Sequence, residues 1–305
     1  MELSTPLRGT HAQSSTFWRG FRKSLPGFMF ILPVLVLFIA FRIWPTINGF
    51  LLSFQDYRIN GNSTWIGLEH FRYLLQDDIF WHSLRVTATY AVLAVPLSTA
   101  SALGLALLIN RAIRGISFFR AIYFLPYITS LVMVAVVWSW VYRTNGGLLN
   151  SLLGTADLGP VRWLTGQDMV LPSLAIMATW KGVGYAMMIL LAGLRAIPTE
   201  LGEASSVDGA TAWQTFSRVT LPLLKPVLFF VVVIETIGSF QVFDAIFVMT
   251  QGGPVRASYS LVYMLYDESF KFSNYGYGAA IGMVLFVITF GVTMLQRLMF
   301  GNERS

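Results

Sequence analysis

Six apolar stretches, each long enough to cross a lipid bilayer, constrain this chain more than any other feature of its sequence. They lie at residues 27–50, 86–109, 118–142, 170–194, 224–249 and 277–300. Charged residues or Gly and Pro bound each stretch, as expected of separate elements. Since a membrane-spanning helix needs roughly 20 apolar residues, the sequence predicts an all-α integral membrane protein with six transmembrane helices.

The composition excludes the soluble classes of protein. Of the 305 residues, 55% are hydrophobic and only 12% are charged, whereas a soluble domain is about a quarter charged. The chain has no Cys, which excludes a disulfide scaffold. The formal net charge of +6 indicates Arg-rich cytoplasmic loops in a membrane protein. We therefore expect a lipid bilayer as the partner of this surface, and no nucleic acid.

The distribution of Arg and Lys over the loops predicts the orientation of the chain. With the N-terminus inside, twelve of these residues lie on cytoplasmic segments and six on outer loops, as the positive-inside rule favours. Both termini are then cytoplasmic. We expect a leader with an amphipathic segment, a first span with its outer loop, a five-helix core that contains one long cytoplasmic loop, and a tail. These parts comprise residues 1–26, 27–84, 85–300 with the loop at 195–222, and 301–305.

The loop between the fourth and fifth stretches carries local signals for a helix, a turn and a second helix. Glu200 and Glu203 stand in the opening turns, where the dipole of a helix favours carboxylates. An Asp-Gly pair at 208–209 is a stop-and-turn signal. Thr211 begins the second helix, and Gln214 three residues later completes a capping box. The loop is therefore predicted to present a short, exposed helix to a partner.

The same loop carries a motif with a family resemblance. Its residues are Glu203, Ala204, Ser205, Asp208, Gly209, Leu221 and Pro222. This pattern resembles the E-A-A motif of the permease subunits of ABC importers, except that Ser205 stands where the family usually has a second alanine of similar size. Segments that resemble the carbohydrate-uptake branch occur at 65–71, 180–185, 191–198, 240–244 and 250–254. Within that branch the chain is similar to the first permease of the maltose and glycerol-3-phosphate systems.

This resemblance implies a type I importer permease fold and a mechanism. In such importers the E-A-A helix docks in a cleft of a cytoplasmic ATPase subunit, so that ATP-driven closure of the ATPase dimer moves the membrane helices. The implied partners are a second permease, an ATP-binding subunit dimer and an extracytoplasmic solute-binding protein, in a bacterial or archaeal inner membrane. ATP and Mg would bind the ATPase, and this chain would bind no cofactor. None of its four Lys residues follows a Gly, as a phosphate loop would require.

Ionisable residues within the apolar stretches are costly in a bilayer and often functional. The candidates for a hydrated path that binds a polyol are Trp180, Lys181, Tyr185, Glu235, Gln241 and Asp244. The alternative is a structural ion pair between Lys181 and Glu235. Glu235 and Asp244 can line one path only if their helix bends, for example at Gly238. We prefer Gln241 and Asp244 for substrate contact, because residues three apart share a helix face.

The remaining features narrow the functional classes. Gly278 and Gly282 permit close helix packing, and we expect the second permease to pack there. The three His residues have no metal-ligand spacing, so neither a metal site nor catalytic residues are predicted, and the chain is not expected to be an enzyme. Since Lys181 and Arg42 are the only intramembrane cations that could bind a phosphate, an uncharged sugar is preferred to glycerol phosphate. The alternative class is a stand-alone ion-coupled secondary transporter.

Overall fold

A computed structural model of the chain describes residues 29–57, 63–110 and 115–300, without the side chains of 116 and 117. The predicted leader with its amphipathic segment and the tail at 301–305 lie outside the described residues. The chain divides between Leu52 and Ser53 into two compact units. The expected division between residues 84 and 85 falls inside a continuous helix.

The first unit is a single apolar helix, α1, at Met29–Leu52. Its residues Ile39–Ile43 form a π-helical turn, two residues before Pro45. Because proline has no amide hydrogen to donate, the regular hydrogen-bond ladder cannot continue there. The helix is long enough to cross a bilayer, as predicted for residues 27–50.

The second unit contains all the other described elements. Its helices are α2 (Glu69–Gln76), α3 (Asp78–Ile109), α4 (Ile116–Ile128), α5 (Leu131–Val141), α6 (Leu148–Gly154), α7 (Val170–Ala196), α8 (Thr199–Val207), α9 (Ala212–Thr215), α10 (Leu221–Phe240), α11 (Asp244–Met249), α12 (Leu261–Tyr266) and α13 (Tyr275–Phe300). The π-helical turns Phe216–Thr220 and Asp267–Lys271 join α9 to α10 and extend α12. One short antiparallel sheet, β1 (Gln55–Asp56) with β2 (Thr64–Trp65), is the only addition to a helical fold among the described residues.

The described residues contain five candidate spans, or six if one bent pair of helices is counted as a single span, against six predicted. Helices α1, α3, α7 and α13 are each long and apolar enough to cross a membrane, and so is the continuous segment from α9 through α10. A sixth crossing exists if α4 and α5 are one span, although they meet at an angle of 98°. The predicted apolar stretch at 118–142 therefore consists of two helices with a sharp bend between them.

At the break between α4 and α5, nearby residues provide hydrogen-bond donors for main-chain carbonyl groups of α4. Thr129 and Ser130 have extended backbone, so the helix cannot continue through them. The Thr129 hydroxyl donates to the Leu125 carbonyl at 2.9 Å, and the Thr129 amide donates to the Pro126 carbonyl at 3.3 Å. Lipid cannot satisfy such groups, so a break inside an apolar segment needs these bonds.

The predicted fifth stretch, 224–249, is also interrupted. Helix α10 ends at Phe240 and α11 begins at Asp244. The Gln241 amide donates to the Gly238 carbonyl at 3.2 Å, and the Ser260 hydroxyl donates to the Val242 carbonyl at 3.1 Å. Gln241 and Asp244 therefore do not share the face of one helix, and that prediction is wrong.

The long helices α3 and α7 form the centre of the second unit, with α4 packed on α7, α10 on α3 and α13 on α10. A Cβ atom on Gly184 of α7 would collide with the main-chain oxygen of Tyr123 on α4, so this glycine permits close helix approach.

Helix α3 separates two ends of the unit. Asp77, its N-cap, accepts a hydrogen bond from Tyr277 of α13 at 2.7 Å. Asn110, its C-cap, shares a pocket with Glu203 of the predicted coupling loop.

Candidate functional site

A cavity of about 370 Å³ lies where both interrupted helices meet α3 and α7. Its polar and aromatic lining comprises Tyr90, Ser98, Tyr127, Thr179, Lys181, Tyr185, Glu235, Ser239, Gln241 and Asp244. Interrupted helices are a common way to bring polar groups to a binding site within a membrane protein. Five of the six predicted path residues, all except Trp180, line this one cavity.

Two tyrosines form a flat wall of the cavity. The rings of Tyr127, on α4, and Tyr185, on α7, stack with centroids 4.6 Å apart and an angle of 8° between their planes. Because the face of an aromatic ring is electron-rich and apolar while the tyrosine hydroxyl is polar, such a wall can contact both the C–H groups and the hydroxyls of a sugar ring.

Lys181 and Glu235 line the same cavity but do not form the ion pair that was one interpretation of the sequence. The Lys181 ammonium donates to the main-chain oxygen of Tyr127 at 3.0 Å and lies 5.6 Å from the centre of the Tyr127 ring. Tyr127 belongs to the last turn of α4, where carbonyl groups lack helical partners and attract cations. Lys181 therefore caps the broken helix.

The cavity also contains a hydroxyl group that lacks a partner. The side-chain oxygen of Thr179 is buried and has no hydrogen bond to any described residue, whereas the Ser98 hydroxyl interacts with the Glu235 carboxyl group. A buried polar atom without a partner costs free energy, which a hydroxyl-bearing ligand or water can recover. Gln241 and Asp244 are exposed at the interval between α10 and α11. Glu235 and Asp244 both line the cavity. The sequence analysis required a bend for this, for example at Gly238, and in the structure the helix instead ends between the two residues, at Phe240.

Trp180 lies apart from the other five candidates. Its ring packs edge-on against Trp138 of α5 with centroids 5.6 Å apart, and it lines a separate, mainly apolar groove between α3, α4 and α7. Trp180 immediately precedes Lys181 on α7, and the side chains of neighbouring helix residues point about 100° apart. Trp180 is therefore not part of the cavity.

The loop after α7 has the predicted helix-turn-helix structure. Helix α8 ends at a turn in which Gly209 has a positive φ of 79°, and α9 begins with the predicted capping box. In that box the main-chain amide of Thr211 donates to the side-chain oxygen of Gln214 at 2.8 Å, and the main-chain amide of Gln214 donates to the Thr211 hydroxyl at 3.4 Å. We call the segment Thr199–Thr215 the coupling loop.

Side-chain hydrogen bonds hold the two helices of the coupling loop together, and the outer surface of the loop is exposed. The Ser205 hydroxyl lies 2.9 Å from the Thr215 hydroxyl and also donates to the Gly202 carbonyl at 2.8 Å, so it ties α8 to α9. Two large apolar side chains point outward: Val207 is 88% exposed and Trp213 is 72% exposed. Exposed apolar residues of this size on a rigid polar loop indicate a contact surface. The motif residues Glu200, Glu203, Ala204, Asp208, Gly209 and Pro222 are exposed, and Leu221 is half-buried.

The two glycines predicted to pack against a second subunit face this chain instead. A Cβ atom on Gly278 would collide with the hydroxyl of Ser269, and one on Gly282 would lie 3.1 Å from Leu265. Both partners belong to the α12 segment. The glycines therefore allow α13 to pack closely within its own unit.

The connection around α12 carries a buried ionic cluster outside the spans. Asp267, only 7% exposed, pairs with Lys271 at 2.6 Å and accepts a hydrogen bond from the Tyr259 hydroxyl at 2.9 Å. The hydrogen bond to Asp267 raises the pKa of Lys271, while burial and then Asp267 raise the pKa of Tyr259. These bonds fix the connection between α11 and α13.

The sequence did not identify five polar lining residues, Tyr90, Ser98, Tyr127, Thr179 and Ser239. A signal existed for Tyr127, because it follows Pro126 and precedes Thr129 within an apolar stretch, and proline disrupts the helical hydrogen-bond ladder. No comparable signal marks Tyr90 or Ser98, since an isolated hydroxyl within an apolar helix is common and its neighbours are distant in sequence.

Comparison with known proteins gives a consistent result for the sequence. Residues 94–300 match the family described as the binding-protein-dependent transport system inner membrane component. The chain is 33% identical over 276 residues to the trehalose/maltose transport system permease protein MalF of Thermococcus litoralis, covering 90% of this chain and 93% of that protein. It is 32% identical over 276 residues to the sn-glycerol-3-phosphate transport system permease protein UgpA of Agrobacterium fabrum, covering 90% and 94%.

A solved structure has the same fold. A chain of a bacterial ABC transporter involved in the import of the acidic polysaccharide alginate superposes with a TM-score of 0.83 at 24% identity, covering 95% of this chain and 100% of that chain. The overall fold of this chain is therefore one that a solved structure already represents.

Proposed function

The chain belongs to the inner membrane components of binding-protein-dependent transport systems, and on this premise we propose that it is the permease subunit of an ATP-driven importer for an uncharged sugar or related polyol. A solute-binding protein delivers the substrate, a second permease completes the pathway, and a separate pair of ATPase subunits hydrolyses ATP. Both termini are cytoplasmic in this proposal. The observation that carries it is the rigid, exposed coupling loop, which a stand-alone ion-coupled transporter would not need.

The lining of the cavity supports an uncharged substrate. Glu235 and Asp244 contribute two carboxylates, whereas Lys181 is the only Lys or Arg among the described lining residues, and its ammonium is engaged by Tyr127. A phosphate or carboxylate on the substrate would meet two carboxylates and one ammonium, which is a net repulsion. The relatives are named for both classes, trehalose/maltose and lactose on one side and sn-glycerol-3-phosphate on the other. The cavity favours the first class.

The coupling step follows from the position of the loop. The π-helical turn Phe216–Thr220 joins the loop to α10, and α10 ends at Phe240, next to Gln241, which lines the cavity. A force on Trp213 can therefore reach the cavity along one continuous helical segment, Ala212–Phe240. We expect the ATPase to hold Glu203 and the exposed apolar side chains, so that ATPase closure tilts α10.

The test is purification of the tagged full chain from its native membrane in mild detergent, followed by identification of the retained proteins, an ATPase assay and uptake assays in liposomes. We expect a second permease and an ATPase to be retained, and ATP-dependent uptake of maltose, trehalose or lactose when the binding protein is added. Glu203→Lys should abolish uptake without removing the chain from the membrane.

A matched control reverses a charge elsewhere. Asp168→Lys changes an exposed carboxylate before α7, far along the chain from the coupling loop, and should leave uptake near the wild-type rate. Normal uptake by Glu203→Lys would contradict the coupling role. A chain that is recovered alone and transports without ATP would instead support the ion-coupled alternative.

A further inference from the structure

A second pocket, larger than the cavity, lies at the other end of the unit from the coupling loop. It has a volume of about 720 Å³ and shares no lining residue with the cavity. Its walls come from the connection after α12, the start of α13, helix α2 and the strand β1. Its volume is within the range of pockets that hold small ligands.

The position of this outer pocket follows from α3. Tyr277, which lines the pocket, donates to the Asp77 carboxylate at the start of α3, whereas Asn110 at the end of α3 borders the coupling loop. Since α3 is 32 residues long and rises about 1.5 Å per residue, it separates the two ends by more than a bilayer core. If the coupling loop is cytoplasmic, as proposed above, the pocket opens on the side where solute arrives.

Four tyrosines give the pocket an aromatic lining. Tyr57 meets Tyr275 at 89° with ring centroids 5.9 Å apart, and Tyr73 meets Tyr277 at 68° with centroids 5.2 Å apart. In an edge-to-face pair one ring keeps its faces available, and Tyr73 is 61% exposed. The electron-rich face of such a ring packs well against the C–H face of a pyranose.

Polar groups in the same pocket are held in position before any ligand binds. The side-chain amide of Asn274 donates to the Glu268 carboxylate at 2.8 Å, and this hydrogen bond orients both side chains. The described lining carries the Glu268 carboxylate and no Arg or Lys, and its one imidazole, His70, contacts the Gln55 main-chain oxygen at 3.1 Å, so anionic ligands are disfavoured. Carboxylate and amide oxygens accept hydrogen bonds from hydroxyl groups, so a neutral polyhydroxyl compound can donate to the Glu268 and Asn274 side chains.

From this combination we propose that the outer pocket is a second saccharide-binding site, separate from the cavity, that takes one or two rings of a neutral sugar. The identity of the ligand rests on the proposed function as a sugar importer. The pocket would hold sugar at the outer surface of the permease, either as a staging site for release into the cavity or as a contact for the distal end of an oligosaccharide.

The test measures equilibrium binding of radiolabelled maltose and trehalose to the purified complex without its solute-binding protein. The complex carries Tyr185→Ala, so that the cavity contributes less to binding. We expect Tyr73→Ala and, separately, Glu268→Gln to weaken binding about tenfold, in line with the loss of one stacking or hydrogen-bonding partner. Phe272→Ala should leave binding unchanged, because Phe272 is similarly exposed at 60% but does not line the pocket. sn-Glycerol-3-phosphate should not compete.

The outcomes separate this inference from the proposed function. Unchanged binding in both pocket variants, or equal competition by sn-glycerol-3-phosphate, would overturn the second site, while ATP-dependent sugar uptake by the wild-type complex would keep the importer function intact. Absence of both binding and uptake in the wild type would overturn both. Circular dichroism of each variant shows whether a loss of binding comes from misfolding, and Glu268→Gln, which keeps the size of the side chain, provides the second test.

Discussion

The ammonium of Lys181 donates a hydrogen bond to the main-chain oxygen of Tyr127 across 3.0 Å. This contact joins α7 to the end of α4 at the point where the third span breaks. The Lys181 ammonium takes the place of the main-chain amide that would donate to the Tyr127 carbonyl if the helix continued. Lys181 thus has a structural role at the edge of the cavity, and it leaves Glu235 without a basic partner among the described residues.

We expect Lys181→Met, which keeps the length of the side chain and removes the ammonium, to destabilise the break. The lost hydrogen bond should cost about 1–2 kcal/mol, because the Tyr127 carbonyl then lacks a donor. The measurement is thermal unfolding of the purified protein in detergent together with uptake. Lys181→Arg, which retains a donor and a charge, should keep most of the stability. Equal stability of Lys181→Met and the wild type would contradict the capping role.

Gly184→Ala should weaken the packing of α7 on α4. A Cβ atom there collides with the Tyr123 main-chain oxygen and lies 2.9 Å from the Phe124 Cα atom, and main-chain atoms cannot rotate away. Overpacking of this kind costs about 1–3 kcal/mol, which a lower melting temperature would reveal. Gly182→Ala is the matched control, since nothing lies within 4 Å of its Cβ position. Similar melting temperatures for the two variants would show that α4 can move aside.

Gly209→Ala should impair the coupling loop through backbone strain alone. The residue has a φ of 79° with open space around its Cβ position, so an alanine fits sterically but is forced into a left-handed conformation at about 1–2 kcal/mol. We expect slower ATP-dependent uptake at normal membrane expression. Gly202→Ala, in the interior of α8 with equally open space, should be neutral or slightly stabilising. A normal uptake rate in Gly209→Ala would argue against a need for this turn geometry.

Ser205→Ala, which restores the residue usual in the family, should loosen the loop of this protein. The Ser205 hydroxyl contacts both the Thr215 hydroxyl and the Gly202 carbonyl, so its loss removes the side-chain link between α8 and α9 at about 1 kcal/mol. Hydrogen exchange of the α9 amides should become faster while uptake is partly retained. As a control, Ser206→Ala removes a hydroxyl that bonds only within α8, to the Gly202 carbonyl, and should leave the α9 amides unchanged. Unchanged exchange in Ser205→Ala would show that the capping box holds α9 without it.

Local signals explain why much of this fold could be predicted. The apolar stretches are long and continuous, and the coupling loop contains its own caps and turn residues. Glu200, Thr211 and Gln214 act on amides within a few residues of themselves, so their effect can be predicted without the rest of the chain. The motif residues likewise lie close together in the sequence, and five of the six path candidates meet in one cavity.

The breaks and the contacts across helices could not be predicted in the same way. The stretches 118–142 and 224–249 are predominantly apolar. Although Pro126 weakens the helix near Tyr127, nothing in these stretches fixes the bend at Thr129 or the end of α10 at Phe240. These breaks persist because distant groups satisfy the freed carbonyls: Lys181 serves Tyr127 and Ser260 serves Val242. Likewise, the side of α7 on which Trp180 lies depends on which helices pack there.

The sequence by itself therefore determined that the chain is a helical membrane protein, which stretches can cross the membrane, and which loop carries the exposed helix that we propose contacts the ATPase, because hydrophobicity, caps and turn residues act over a few neighbouring positions. Only the tertiary structure decided where the spans break, which polar residues share the cavity, and that Gly278 and Gly282 pack within their own unit. Those features depend on contacts between residues far apart in the chain, whose partners exist only once the helices have packed.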